Sequence, residues 1–126
     1  MSAPQFYLAI SAASGCLATI LGAFGAHGLK GKISEPLFHA YQTGIQYQFY
    51  HTFALAIVAC LMFRYGASKA LSASAMLFIV GMILFSGSLY ALAFGAPRWL
   101  GPITPVGGLC FIGAWACLTF AALKMN

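Results

Sequence analysis

Acidic side chains are almost absent: Glu35 is the only carboxylate residue in a chain of 126. That excludes chemistry built on paired carboxylates, carboxylate metal sites and carriers that move protons through an intramembrane acid. Charge of either sign is scarce, with six Lys and Arg beside Glu35, or 6% of the chain against 62% hydrophobic. A soluble domain carries about 25% charged residues to make its water-facing surface, so this chain has too few to cover itself in water. Cys-x-x-Cys is missing too. Cys16, Cys60, Cys110 and Cys117 lie within apolar segments, at spacings that fit neither a zinc site nor a disulfide framework. They read as small apolar residues.

The positions of the few charges carry more than their number. None precedes Lys30, and none occurs from Pro36 to Phe63, from Ala70 to Pro97 or from Trp99 to Leu123. Each gap exceeds the ~20 residues that a helix needs to cross the roughly 30 Å hydrocarbon layer of a bilayer. A long apolar helix without a polar face is not a soluble surface helix. The expected fold is therefore all-α: an integral membrane bundle of four antiparallel transmembrane helices in a single membrane domain, 1–126, with helices at about 6–26, 36–63, 69–94 and 104–123. The basic residues sit at segment ends, where they can meet lipid headgroups. No basic stripe or nucleic-acid motif occurs, so the expected partners are membrane lipids and, beyond them, a second copy or another membrane protein, with no nucleic acid. The first segment lacks a positively charged start and its apolar stretch is long, so it reads as a retained helix rather than a cleaved signal.

Small residues recur at helical spacing. Ser11, Gly15, Ala18, Gly22 and Gly25 share one face of the first helix, Ser74, Gly81 and Ser88 one face of the third, and Gly107, Cys110, Ala114, Cys117 and Ala121 one face of the fourth. In lipid, apolarity alone does not drive helices together, and small residues that let backbones approach are the usual substitute. Gly28 and Gly31, with Lys30 and Lys32, end the first helix, and Ser34 stands where it can cap the second. Arg98 and Trp99 form an interfacial anchor pair. The halves 1–64 and 65–126 do not resemble each other, so there is no transporter-type inverted repeat.

Four antiparallel crossings define two ends. The termini and the turn between Arg64 and Lys69 lie at one, here the terminal end. The loops at 28–35 and 95–102 lie at the other, the loop end. Four distinctive stretches converge there: GAFGAHG at 22–28, YQTGIQYQFYH at 41–51, FSGSLY at 85–90 and ITPVGG at 103–108. On the second helix, His39, Thr43, Tyr47 and His51 follow one another at i+4, with Gln42 and Gln46 in an adjacent row. Such groups are costly against lipid tails and should face protein or water. A polar pocket at the loop end is expected to draw on His27, Tyr41, Gln42, Gln46, Tyr47, His51, Ser86, Ser88, Tyr90 and Thr104. His51 is expected to bond with Tyr47, Gln48 or a hydroxyl of Ser86 or Ser88.

These four stretches, with Trp115 after the last, resemble the YgdD family, which includes animal transmembrane protein 256. The likeness runs in order along nearly the whole chain. It implies a small multi-pass protein of the bacterial inner (plasma) membrane, with no established biochemical activity and no catalytic residue to carry over. Many members have a Trp ahead of the Tyr-Gln stretch, where this chain has Phe38 and His39.

Three functions remain to be weighed. The first is non-enzymatic binding or assembly, with the pocket holding a lipid headgroup, a small amphiphile or a partner helix. The second is a small oligomeric transporter or channel using His51. The third is haem binding, for which only His27 and His51 offer a pair. Nothing else suggests haem, so no cofactor and no metal is expected. No nucleophile with a base, metal-ligand spacing or phosphate loop is present, so no enzyme is expected.

Overall fold

The computed structural model describes all 126 residues. Four helices make up the chain: α1 (Ala3–Phe24), α2 (Glu35–Tyr65), α3 (Lys69–Ala93) and α4 (Ile103–Leu123). A π-helical turn, Gly25–Leu29, continues α1, and a 3-10 turn, Arg98–Leu100, precedes α4. All four are long and apolar enough to cross a membrane.

Their ends follow from local chemistry. α1 starts at Ala3, earlier than the apolar pattern alone indicates, because Ser2 and Gln5 form a capping box ahead of it. It also runs later, since the π-turn extends the helical path to Leu29 before Gly31 turns the chain at φ 82°. Ser34 occupies the N-cap of α2 in extended backbone, but its hydroxyl makes no capping bond. Ser68 does cap α3, accepting from the Leu71 N–H at 3.2 Å. Gly66 and Gly95, at φ 87° and 96°, supply the left-handed residues that stop α2 and α3.

Each helix packs on the next in sequence: α1 on α2, α2 on α3, α3 on α4. The predicted small-residue faces make these seams. A Cβ on Gly15 would touch Thr52, and one on Gly22 would touch Ile45, while Ala18 is fully buried against α2. On α3, the Ser74 hydroxyl donates to the Ala114 carbonyl at 2.9 Å. Gly81 lies under the Phe111 ring, and Gly107 lets α4 meet the backbone of α3 at Phe85. Close approach of this kind, with hydrogen bonds across it, holds helices together in lipid.

The interior is divided by depth. The large apolar cluster, including Leu55, Val58, Met62, Leu71, Phe78 and Phe111, fills the half towards the terminal end. A small second cluster of Leu29, Tyr41 and Ala93 closes the loop end. Between and beside them lie the buried polar residues Ser11, Gln48, His51, Thr52, Ser86 and Ser88. The outer faces are apolar, with Ile20, Phe53, Ile83, Leu109, Ile112 and Leu123 exposed, as a lipid-facing surface requires.

Candidate functional site

Every buried polar side-chain atom has a hydrogen-bond partner, and the partners define two internal groups. The first ties α1, α2 and α3 together around Gln48. Its amide nitrogen donates to the Ser14 carbonyl and to the Ser14 hydroxyl, each at 3.1 Å. Its amide oxygen accepts from the Tyr90 hydroxyl at 2.6 Å. The Ser14 and Thr52 hydroxyls pair at 2.7 Å, Ser11 donates to the Thr52 carbonyl at 2.8 Å, and Ser86 donates to the Gly44 carbonyl at 2.6 Å. Nearer the loop end, the Tyr41 hydroxyl donates to the Leu21 carbonyl just ahead of the π-turn. The Tyr41 ring is fully buried, lying over Gly25 where any Cβ would come within 2.6 Å of it.

The second group surrounds His51 between α2 and α4. The Trp115 indole N–H donates to Nε2 at 3.2 Å, so Nδ1 carries the proton and donates to the Tyr47 carbonyl at 2.7 Å. The imidazole lies flat on the Phe111 ring, with centroids 3.5 Å apart and planes 2° from parallel, and Phe78 packs beside it at 5.7 Å. Of the partners expected for His51, Tyr47 is the one found, through its carbonyl, and neither Gln48 nor a serine hydroxyl bonds to the ring. Gln48 turns towards α1 and α3, Ser86 is committed to Gly44, and Ser88 pairs with Thr104 across the start of α4 while donating to the Phe85 carbonyl.

The remaining predicted residues are on the outside. Gln42 and Gln46 are exposed and unengaged within the chain. Together with His39, Tyr41 and Thr43 of α2, and Gly22, Gly25 and Ala26 of α1 and its π-turn, they line a lateral recess of about 290 Å³. Tyr47 faces the α2–α4 side, its ring 4.7 Å from Phe85, and does not reach the recess. His27 is exposed on the π-turn, outside the recess lining and apart from the buried His51, so these two imidazoles are not brought together. The ten residues expected to form one pocket thus fall into an α1–α2–α3 belt (Tyr41, Ser86, Tyr90), an α2–α4 side (Tyr47, His51), a clasp at the head of α4 (Ser88, Thr104), the recess (Gln42, Gln46, with the edge of Tyr41) and His27, which stands apart on the π-turn. The chief residues that sequence reasoning missed are Ser14, Thr52 and Trp115. Each carries a donor inside a chargeless segment, which is itself a signal, since such a donor must find a partner.

A small integral membrane protein of four helices, tied internally by uncharged hydrogen bonds, is the class that this fold and these groups define. The family described as "Protein of unknown function (DUF423)" matches residues 21–108. The UPF0382 membrane protein YwdK of Bacillus subtilis is 41% identical over 95% of this chain and 98% of its own. A UPF0382 membrane protein of Haemophilus influenzae is 42% identical over 94% of each. The UPF0382 inner membrane protein YgdD of Escherichia coli is 38% identical over 97% of this chain and 92% of its own. The chain belongs to this family of membrane proteins, and the inner membrane expected from its sequence is the location that the name of the E. coli relative carries. No solved structure matches it. Nothing in the family or the geometry points to catalytic activity.

Proposed function

We propose that this chain is a non-enzymatic binding protein of the inner membrane, holding the polar part of an amphiphile in the recess between the end of α1 and the start of α2. One observation carries this reading: the Gln42 and Gln46 amides stand one turn apart on the wall of the recess and make no hydrogen bond within the chain. Depth makes that costly for Gln46. At ~1.5 Å per residue, Gln46 stands ~27 Å along α2 from Arg64, and Gln42 ~33 Å. If Arg64 marks one edge of a roughly 30 Å hydrocarbon layer, the two amides straddle the other edge. Gln46 stands on the hydrocarbon side of that edge, where an amide left unpaired out of water costs about 1–3 kcal/mol, so a ligand that pairs it is stabilised there. Comparing the lipids that co-purify with the wild-type protein and with Gln42→Leu/Gln46→Leu tests the reading. A lipid enriched in the wild type and lost from the variant is expected, and identical lipid profiles count against the recess as a site.

Assembly with a second copy is a further reading with one observation in its favour. α1 packs chiefly on α2 and exposes Ala9, Ala12, Cys16, Thr19, Ala23 and Ala26 at alternating spacings of three and four, a period that suits helix pairing. Oxidative crosslinking through Cys16, abolished by Ala12→Leu, is its expected signature. A chain that stays monomeric in mild detergent goes against it. A His51 proton route has less in its support, because both ring nitrogens are already hydrogen-bonded.

A further inference from the structure

Resting on the recess as a binding site, we infer that its ligand is an uncharged lipid polar group bearing both a hydroxyl and an ester carbonyl, of the diacylglycerol type, in preference to a phosphate-bearing headgroup. The lining contains no Lys, Arg, Asp or Glu. The basic residues of the loop end, Lys30, Lys32 and Arg98, lie outside it. The N-terminus of α2, which could otherwise favour an anion, already carries Glu35 in its first turn. Proteins that hold phosphate at such a depth rely on the fork of Arg or on Lys, and neither is available here.

The free hydrogen-bonding groups point the same way. Tyr41 has committed its hydroxyl to the Leu21 carbonyl and Thr43 its own to the His39 carbonyl. What remains uncommitted is the His39 imidazole, three residues nearer the loop end than Gln42, and the pair of primary amides, each with two donors and an acceptor oxygen. The phosphodiester itself only accepts, and the hydroxyls of phosphatidylglycerol or the ammonium of phosphatidylethanolamine lie beyond it, so meeting the amide oxygens with one of those donors brings the phosphate charge to a lining without Lys or Arg. A hydroxyl alone supplies such a donor, and an ester carbonyl takes one of the amide N–H groups. Gln42 and Gln46 are one turn apart, ~6 Å along the axis, so the outer amide meets the hydroxyl and the inner one the ester beneath it. Gly22 and Gly25 keep side chains out of the facing wall. Below Gln46 the same face of α2 continues as Phe49 and Phe53, whose rings stack at 6.2 Å and form an apolar ridge along which the tails descend.

The test is equilibrium retention of dioleoylglycerol, dioleoylphosphatidylglycerol and dioleoylphosphatidylethanolamine, which share their tails, by detergent-solubilised wild type and by Gln42→Leu/Gln46→Leu, read by native mass spectrometry. Both positions are exposed, and thermal unfolding verifies that the variant keeps its fold. The expected result is dioleoylglycerol retained about tenfold over either phospholipid, a difference of about 1.4 kcal/mol, by the wild type only. A phospholipid preferred by the wild type and lost from the variant overturns the uncharged class while leaving the recess as a site. Equal retention of all three by both proteins overturns the inference and the recess reading together.

Discussion

The Tyr90 hydroxyl donates to the Gln48 amide oxygen over 2.6 Å, while the nitrogen of the same amide holds Ser14. One side chain of α2 thereby links α1 to α3, two helices that otherwise share little direct packing. Removing either partner leaves a polar group inside the bundle unpaired. Gln48→Leu is expected to destabilise more than Tyr90→Phe, because it strands Tyr90 and Ser14 together. A double-mutant cycle read by unfolding in detergent should give a coupling of about 0.6 kcal/mol, and at most about 1.7, as for hydrogen bonds between membrane helices. Strictly additive losses would show that the contact contributes nothing.

Gly107 sets the distance between α3 and α4. A Cβ placed there would stand 2.4 Å from the Phe85 nitrogen and 2.8 Å from its Cα, whereas one on Gly108 meets nothing within 4 Å. Backbone cannot rotate away as a side chain can, so Gly107→Ala must push the helices apart. A loss of about 1–3 kcal/mol is expected, with Gly108→Ala close to neutral as its control. Equal melting temperatures for the two variants would mean that this seam is looser than described.

The four helices were legible because ionised side chains mark where lipid begins and ends, and the seams because small residues recur at helical spacing along α1, α3 and α4. The start of α1 was legible in principle from Ser2 and Gln5, whose capping bonds outweigh the polarity of that first turn. The division of the polar residues was not. Gln46 and Gln48 look alike in sequence but differ by ~200° around α2, so one faces outward and the other reaches Ser14. Which direction is inward depends on where α1, α3 and α4 sit around α2. Likewise His51 meets Trp115 only because α4 returns beside α2, a relation between residues far apart in the chain that no local pattern encodes.

Both termini lie at the same end of the bundle as the turn between Arg64 and Lys69, since four helices alternate in direction. Basic residues divide evenly between the ends, with Arg64, Lys69 and Lys124 against Lys30, Lys32 and Arg98. The Arg64 and Lys69 pair brackets its turn most tightly, and basic residues close to the membrane favour the cytoplasm. A fluorescent protein fused to the C-terminus should therefore fluoresce, and a periplasm-dependent phosphatase at the same position should be inactive. An active phosphatase would reverse the orientation.

His51 accepts from Trp115 and donates to Tyr47, so its ring is a structural tie between α2 and α4 with no lone pair left to take a proton. Trp115→Phe keeps an aromatic ring against Phe78 but removes the N–H, leaving the His51 Nε2 without a donor. The expected cost is about 1–3 kcal/mol, the desolvation penalty of an orphaned group. Exchanging both partners for apolar rings can be nearly neutral, so adding His51→Phe to Trp115→Phe should recover much of the loss. A proton relay predicts otherwise: proteoliposomes would lose proton flux with His51→Phe however well the double variant folds. Equal flux from wild type and double variant, together with recovered stability, is the outcome that the geometry of this pair requires.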